Sequence, residues 1–300
     1  MIQPPFLKRG DKIAIVAPAR AVSFEEIHPS IKLFQQWGLE VVLGNNVLGK
    51  ENQYAGNDEK RFADLQQALD DPSVQAIICA RGGYGTVRII DRLDFTGFTR
   101  WPKWMIGYSD ITVLHSHINR HHCIETLHAT MPINIKDEPD NENVNYLRKI
   151  LFGEKLFYKK PITFLSRTGL SRGELTGGNL SIIYSLMGTP SEIETDGKIL
   201  FIEDVDEYLY HIDRMMMNLK ISGKLDNLKG MIIGGMSDMK DNTIPFGKNA
   251  LEIVADYSRN YKYPVIFDFP AGHIDANFPL IFGKEAEIKV EKDKATLKYL

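Results

Sequence analysis

The feature that most constrains this chain is an alternation. Short runs of small and β-branched apolar residues are each closed by glycine, proline or a polar turn, and then followed by a segment with helical spacing. "KIAIVAPA" at Lys12–Ala19 predicts a buried parallel strand entering a loop. "FEEIHPSIKLFQQWGLEVVLG" predicts a helix stopped at Gly38 and a second strand at Leu39–Leu43. "NDEKRFADLQQALDDPSV" predicts an amphipathic helix capped by Asn57 or Asp58, and "VQAIICARGGYG" a third strand running into glycines. "WMIGYSDITVLHSHINRHH", from Trp104, repeats strand, turn and helix. Four strands alternating with helices predict an open, mostly parallel α/β sheet covered on both faces.

The pattern breaks near Asp137. There "KDEPDNENVNY" is polar, and a helix and a Lys-rich stretch near Lys159–Pro161 follow it. Because domains usually hold ~100–200 residues, 300 residues predict two of them. The expected division is an N-terminal α/β domain over 1–136, a linker over 137–165, and a C-terminal domain over 166–300. Downstream, "GELTGGNLSIIYSLMGTP", "KILFIEDVDEYLYHIDRMMMNLKISGKL" and "LKGMIIGGMSD" mix strands with at least three helices.

Charge and cysteine content exclude several classes. A formal net charge of −3 gives no basic field to neutralise a phosphate backbone, so no nucleic-acid partner is expected. The two cysteines, Cys79 and Cys123, form neither a disulfide framework nor a C-x-x-C pair, and no metal or cofactor is expected. "MIQPPFLKRGDKIAIVAP" places prolines and charges where a secretion signal needs an unbroken apolar segment. No stretch approaches the ~20 apolar residues of a membrane span. A cytoplasmic location without membrane contact is expected.

Candidate chemistry lies where the strands of an open sheet end. The loops "ARGGYG" (80–85) and "GYSD" (107–110) fall there, and glycines at 82, 83 and 85 let backbone N–H groups face a ligand. The glycine loop lacks both G-x-G-x-x-G and a G-K-[ST] ending, which argues against a nucleotide phosphate loop. On the residues alone, Ser109 is either a helix cap or a nucleophile. A nucleophile needs a base and a carboxylate that orients the base. Of 8 histidines, His115, His117, His121 and His122 follow Ser109 on or just beyond one helix, where most cannot fold back onto it. His128 in "LHATMP" and His273 in "PAGHIDANFPLIFG" remain, each with an alternative reading as a structural histidine. Glu203 closes an apolar strand, where an unpaired charge is costly, so it is the better orienting acid than Asp206, Glu207 or Asp213. Arg81 is a candidate for a substrate carboxylate or a structural ion pair, Asn179 for substrate backbone or a helix cap, and Tyr84 for ligand or protein packing.

"ARGGYG", "GYSD", "GELTGGNLS…SLMGTP", "ILFIEDVDE…IDRM" and "FPAGH" occur in the order found in the LD-carboxypeptidases. The chain resembles this family of serine peptidases, which includes murein tetrapeptide carboxypeptidases and microcin C self-immunity peptidases, over nearly its whole length. The resemblance implies a flavodoxin-like N-terminal domain, a smaller C-terminal α/β domain and an active site at the domain interface. It implies a catalytic triad of Ser109, Glu203 and His273, and an oxyanion hole from the backbone N–H of Asp110 and of Gly83 or Gly82. The implied task is removal of terminal D-alanine from a murein tetrapeptide in peptidoglycan recycling, by a cytoplasmic enzyme that is a possible homodimer. The alternatives are hydrolysis of a microcin C-like peptidyl-nucleotide amide and a non-catalytic small-ligand-binding module. The G-x-S-x-G elbow of α/β-hydrolases is absent, since Ile111 stands where its second glycine falls.

Overall fold

Residues 1–136 and 141–300, which the computed structural model describes, divide into two units: Met1–Lys155 with Phe278–Ile281, and Leu156–Asn277 with Phe282–Leu300. The first unit realises the predicted alternation. Strand β1 (Lys12–Val16) leads to helix α1 (Phe24–Gln36), whose N-terminus is a capping box between Ser23 and Glu26. Strand β2 (Glu40–Leu43) begins one residue later than predicted, because Leu39 N–H still bonds back to Phe34 O of the helix-ending turn. Helix α2 (Asp58–Asp70) is capped by Asn57, whose side chain accepts from Lys60 N–H.

Strand β3 (Val74–Cys79), short helix α3 (Thr96–Arg100), strand β4 (Trp104–Gly107), helix α4 (Thr112–His122) and strand β5 (Thr126–His128) complete the alternation. The sheet runs β2-β1-β3-β4-β5 with Leu280–Phe282 beyond β5, and the β1/β2, β1/β3, β3/β4 and β4/β5 pairs are parallel. That is the flavodoxin-like order, with its reversal of direction between β1 and β3. The β1, β3 and β4 loops all leave from the same edge.

Of the segment 137–165, the residues 137–140 lie outside the described ones. Helix α5 (Glu142–Leu151) belongs to the first unit, and strand β6 (Phe157–Pro161) is an edge strand of the second. The second unit continues with β7 (Gly169–Asn179), α6 (Leu180–Ser185), β8 (Ile199–Val205), α7 (Leu209–Ile221), β9 (Gly230–Ser237), α8 (Ala250–Ser258) and β10 (Val265–Ile266). Strand β11 (Leu280–Phe282), already placed in the first sheet, is followed by β12 (Glu285–Val290) and β13 (Lys294–Tyr299). The second sheet has the order β10-β9-β8-β7-β12-β13-β6, parallel from β10 to β7 and antiparallel from β7 to β6. Its parallel part packs against α6, α7 and α8 through Ile183, Leu200, Ile202, Ile212, Met215, Met231, Ile233 and Ile253. Among the described residues, no helix is long and apolar enough to cross a membrane.

One buried charge pins the first sheet to its helices. Lys103, just ahead of β4, is fully buried, and its ammonium donates to the carbonyl oxygens of Ala68 and Leu69 (3.1 Å each) and Asp71 (2.5 Å) at the end of α2. Burial pulls its pKa down to about 8, against the pull of Asp71 and Asp70. Lys103→Met leaves those carbonyls without their donor and is expected to cost about 1–3 kcal/mol in urea unfolding, with an unchanged circular dichroism spectrum.

Candidate active site

Ser109 sits between β4 and α4 with φ of +64°, a left-handed conformation that costs an L-residue about 1–2 kcal/mol. The helix-cap reading fails on geometry: neither the Ser109–Ile111 turn nor α4 receives a side-chain cap. Asp110 is engaged elsewhere, its Oδ2 accepting from Thr86 N–H at 2.9 Å, and burial raises its pKa. This strained residue stands at the turn from strand to helix, without the second glycine of a G-x-S-x-G elbow.

The glycine loop after β3 passes directly over this serine. A Cβ on Gly82 would lie 2.8 Å from Ser109 Cβ, 3.0 Å from its Oγ and 3.3 Å from Asp110 N, so only glycine allows the approach. The loop is held from below by Arg61. This fully buried guanidinium donates through Nη1 to Pro18 O (2.5 Å) and Gly85 O (2.9 Å), and through Nη2 to Asp58. Arg61 thus ties the loop after β1 to the loop after β3.

In the second unit, β8 carries Glu203, whose side chain is 0% exposed. Its Oε2 accepts twice from one residue: from His273 N–H at 3.1 Å and from His273 Nδ1 at 2.7 Å. An Nδ1–H donated to Glu203 makes Nε2 the basic nitrogen of the neutral ring. His273 is fixed on every side of its backbone. Ser237 Oγ donates to its carbonyl at 2.7 Å, and Gly272 N–H donates to Asn277 Oδ1 at 2.8 Å. Gly272, at φ of +107°, leaves no room for a side chain: a Cβ would meet Glu203 Cβ and Oε2 at 2.7 Å. Burial, the largest influence on His273, works to lower its pKa. The hydrogen bond and charge of Glu203, with the charge of Asp204, outweigh burial and raise it above the ordinary 6.5.

Asp204 is also buried, next to a register shift in the β8/β9 pairing. Its Oδ1 accepts from Asn179 Nδ2 and its Oδ2 from Ser181 N–H, both at 2.9 Å; burial, reinforced by Glu203, pushes its pKa up to about 7. Asn179 itself caps α6, accepting from Ile182 N–H at 3.2 Å. Of the other residues singled out in the sequence, Arg81 donates to Ala21 O at 3.4 Å, and Tyr84 is exposed, with its ring 6.2 Å from that of Tyr54.

His115 is buried under Gly107 O at 2.9 Å and driven down to about 4 by burial, and His128 is buried against Tyr108. His117 and His122 pack on Phe95. Asp213 lies inside α7 and accepts from Tyr257 OH at 2.9 Å. Arg61, Gly272 and Asn277 escaped the sequence reading. The glycine directly before His273 was the one available signal. Among the described residues, no group of three or more His, Cys, Asp or Glu side chains is arranged to hold a metal ion.

Two parallel-rich α/β units, one presenting a strained serine beside a glycine loop and the other a carboxylate-bound imidazole, define a class of hydrolases. Residues 13–129 match the LD-carboxypeptidase N-terminal domain and residues 172–288 the LD-carboxypeptidase C-terminal domain. The probable murein peptide carboxypeptidase of Bacillus subtilis (strain 168) is 34% identical across 98% of this chain and 94% of its own length. The crystal structure of muramoyltetrapeptide carboxypeptidase from Oxalobacter formigenes superposes with a TM-score of 0.87 at 27% identity, covering 96% of this chain and 98% of that one. The microcin C7 self immunity protein MccF shares the fold, with a TM-score of 0.86 at 19% identity over 99% of this chain and 98% of that one. The chain belongs to the LD-carboxypeptidase family of serine peptidases.

Removing the charge of Glu203 takes away the strongest influences that oppose burial at His273 and leaves only the charge of Asp204 against it. In Glu203→Gln, the His273 ring protons followed by NMR are expected to titrate about 1–3 pH units lower than in the parent protein.

Proposed function

We propose that this protein is a serine LD-carboxypeptidase that removes the terminal D-alanine from murein tetrapeptides in the cytoplasm, during cell-wall recycling. The observation that carries the reading is the Glu203–His273 pair. It is an imidazole held by a fully buried carboxylate, in a chain whose relatives are named as carboxypeptidases of murein peptides.

In this mechanism Ser109 Oγ attacks the carbonyl carbon of the penultimate residue while His273 Nε2 takes the hydroxyl proton. Glu203 holds the ring and stabilises its charged form. The backbone N–H groups of Asp110 and of Gly83 or Gly82 receive the oxyanion, at roughly 3–4 kcal/mol per donor. The tetrahedral adduct collapses with cleavage of the C–N bond, and His273 returns its proton to the departing D-alanine amine. Water, deprotonated by the same imidazole, then releases the acyl group from Ser109. Hydrolysis of a peptidyl-nucleotide amide is the competing reading. It calls for an aromatic face for the base, yet Trp104 is buried, Trp37 packs on Phe34 and Phe152, and Trp101 lies under Arg100.

Purified protein incubated with murein tetrapeptide and, separately, with a peptidyl-adenylate analogue decides between them by mass spectrometry of the released D-alanine or nucleotide. D-alanine release is expected from the tetrapeptide, unaffected by a chelator and reduced about 10³–10⁶-fold in Ser109→Ala. Activity that survives in Ser109→Ala and is lost to chelator overturns the mechanism. Because His273 must be neutral to accept the serine proton and its pKa is raised, kcat/KM is expected to fall with decreasing pH through a midpoint above 6.5.

A further inference from the structure

A carboxypeptidase has to recognise a free carboxylate one residue, about 3.8 Å of chain, beyond the bond it cuts. A cation mounted next to the nucleophile does this best, and an arginine fork best of all. The cations of the first unit are mostly committed. Arg61 is buried under the loops it ties, Arg88 is paired with Asp58, and Arg81 turns to the Ala21 carbonyl.

Arg20 is different. It lies in the loop that follows β1, at the β1/β3 reversal where open α/β sheets bind ligands. Its backbone is held firmly. Arg20 N–H donates to Gly82 O at 3.3 Å, Ala21 N–H to Gln53 O at 3.0 Å, and Ala55 N–H to Ala19 O at 3.1 Å. Its side chain lies along the glycine loop, so that a Cβ on Gly83 would come 2.1 Å from Arg20 Cδ and 2.5 Å from Cγ. The preceding residue, Gly82, is the one pressed against Ser109. Consecutive glycines therefore carry the serine on one and the arginine stem on the other. Arg20 is exposed, and among the described residues no carboxylate pairs with it.

We infer that Arg20 binds the C-terminal carboxylate of the substrate and so makes the enzyme an exopeptidase. The inference rests on the carboxypeptidase reading of this site. A phosphate would satisfy the same guanidinium, but the carboxylate is favoured because it lies within one residue of the bond that Ser109 attacks. Gly83 is part of the same device: any side chain there displaces the arginine stem.

The test compares murein tetrapeptide with its C-terminal D-alanine amide, in the parent protein and in Arg20→Gln and Arg20→Lys, with folding checked by circular dichroism. The parent protein is expected to prefer the free acid. In Arg20→Gln, kcat/KM on the acid is expected to fall about 10–100-fold, mainly through KM, as for lost hydrogen bonds to a charged group. Discrimination between acid and amide should then collapse towards one, and Arg20→Lys should recover part of it.

Equal losses on acid and amide would mean that Arg20 only supports the loop, and unchanged discrimination would mean that another group reads the carboxylate. A loss seen with the peptidyl-adenylate analogue and not with the tetrapeptide would assign the guanidinium to phosphate. Each of these overturns the inference while leaving the carboxypeptidase reading intact. A parent protein that releases D-alanine from neither peptide overturns both.

Discussion

An ionised carboxylate inside an apolar strand is expensive unless the protein supplies what water supplied. Glu203 sits in that position on β8, with apolar Ile199, Leu200, Phe201 and Ile202 leading up to it. Its match comes from a single residue, which offers one main-chain and one ring N–H to the same oxygen. Two donors on one acceptor fix the imidazole in direction as well as distance, and everything around His273 follows from that demand. The glycine at 272 lets the turn come close enough, Asn277 holds that glycine, and Ser237 anchors the carbonyl beyond it. Asp204, the adjacent acid, turns to Asn179 and the start of α6 instead. Neighbouring carboxylates thus serve separate networks, one holding an imidazole and the other joining a helix to the strand.

The first unit solves a different problem, that of holding a small hydroxyl-bearing residue in a backbone conformation it disfavours. The strain at Ser109 persists because its surroundings over-determine it: Gly82 presses from above, and Asp110 is tied to Thr86. Arg61 gives the arrangement a floor, since its donors reach the ends of two different loops. Together they fix the backbone amides around Ser109 in place.

The alternation of strands and helices was legible in the sequence because burial on both faces of a parallel sheet writes an uninterrupted apolar run, and amphipathic helices write a second period between such runs. The same logic picked out Glu203, whose charge at the end of an apolar strand needed a reason. Ser109 was ambiguous because serine is common at helix starts, and the absence of a side-chain cap there shows only in the folded chain. Arg61 was invisible: its spacing within α2 looks like that of any surface arginine, and burial is decided by loops from elsewhere in the chain. The helix expected after the polar stretch is α5, whereas strand β6 lies in the Lys-rich stretch read as connecting chain and shows that polar composition marks solvent exposure better than it marks absence of structure.

The strand at Leu280–Phe282 lies beyond β5 in the first sheet, although more than a hundred residues of the second unit separate them along the chain. During synthesis, the first unit therefore emerges with one flank of its sheet unpaired and stays so until the ribosome has passed residue 282. Exposed strand flanks are templates for wrong partners. The chain's order of manufacture thus differs from its order of completion: the half that begins first cannot finish until nearly all of the other has been made.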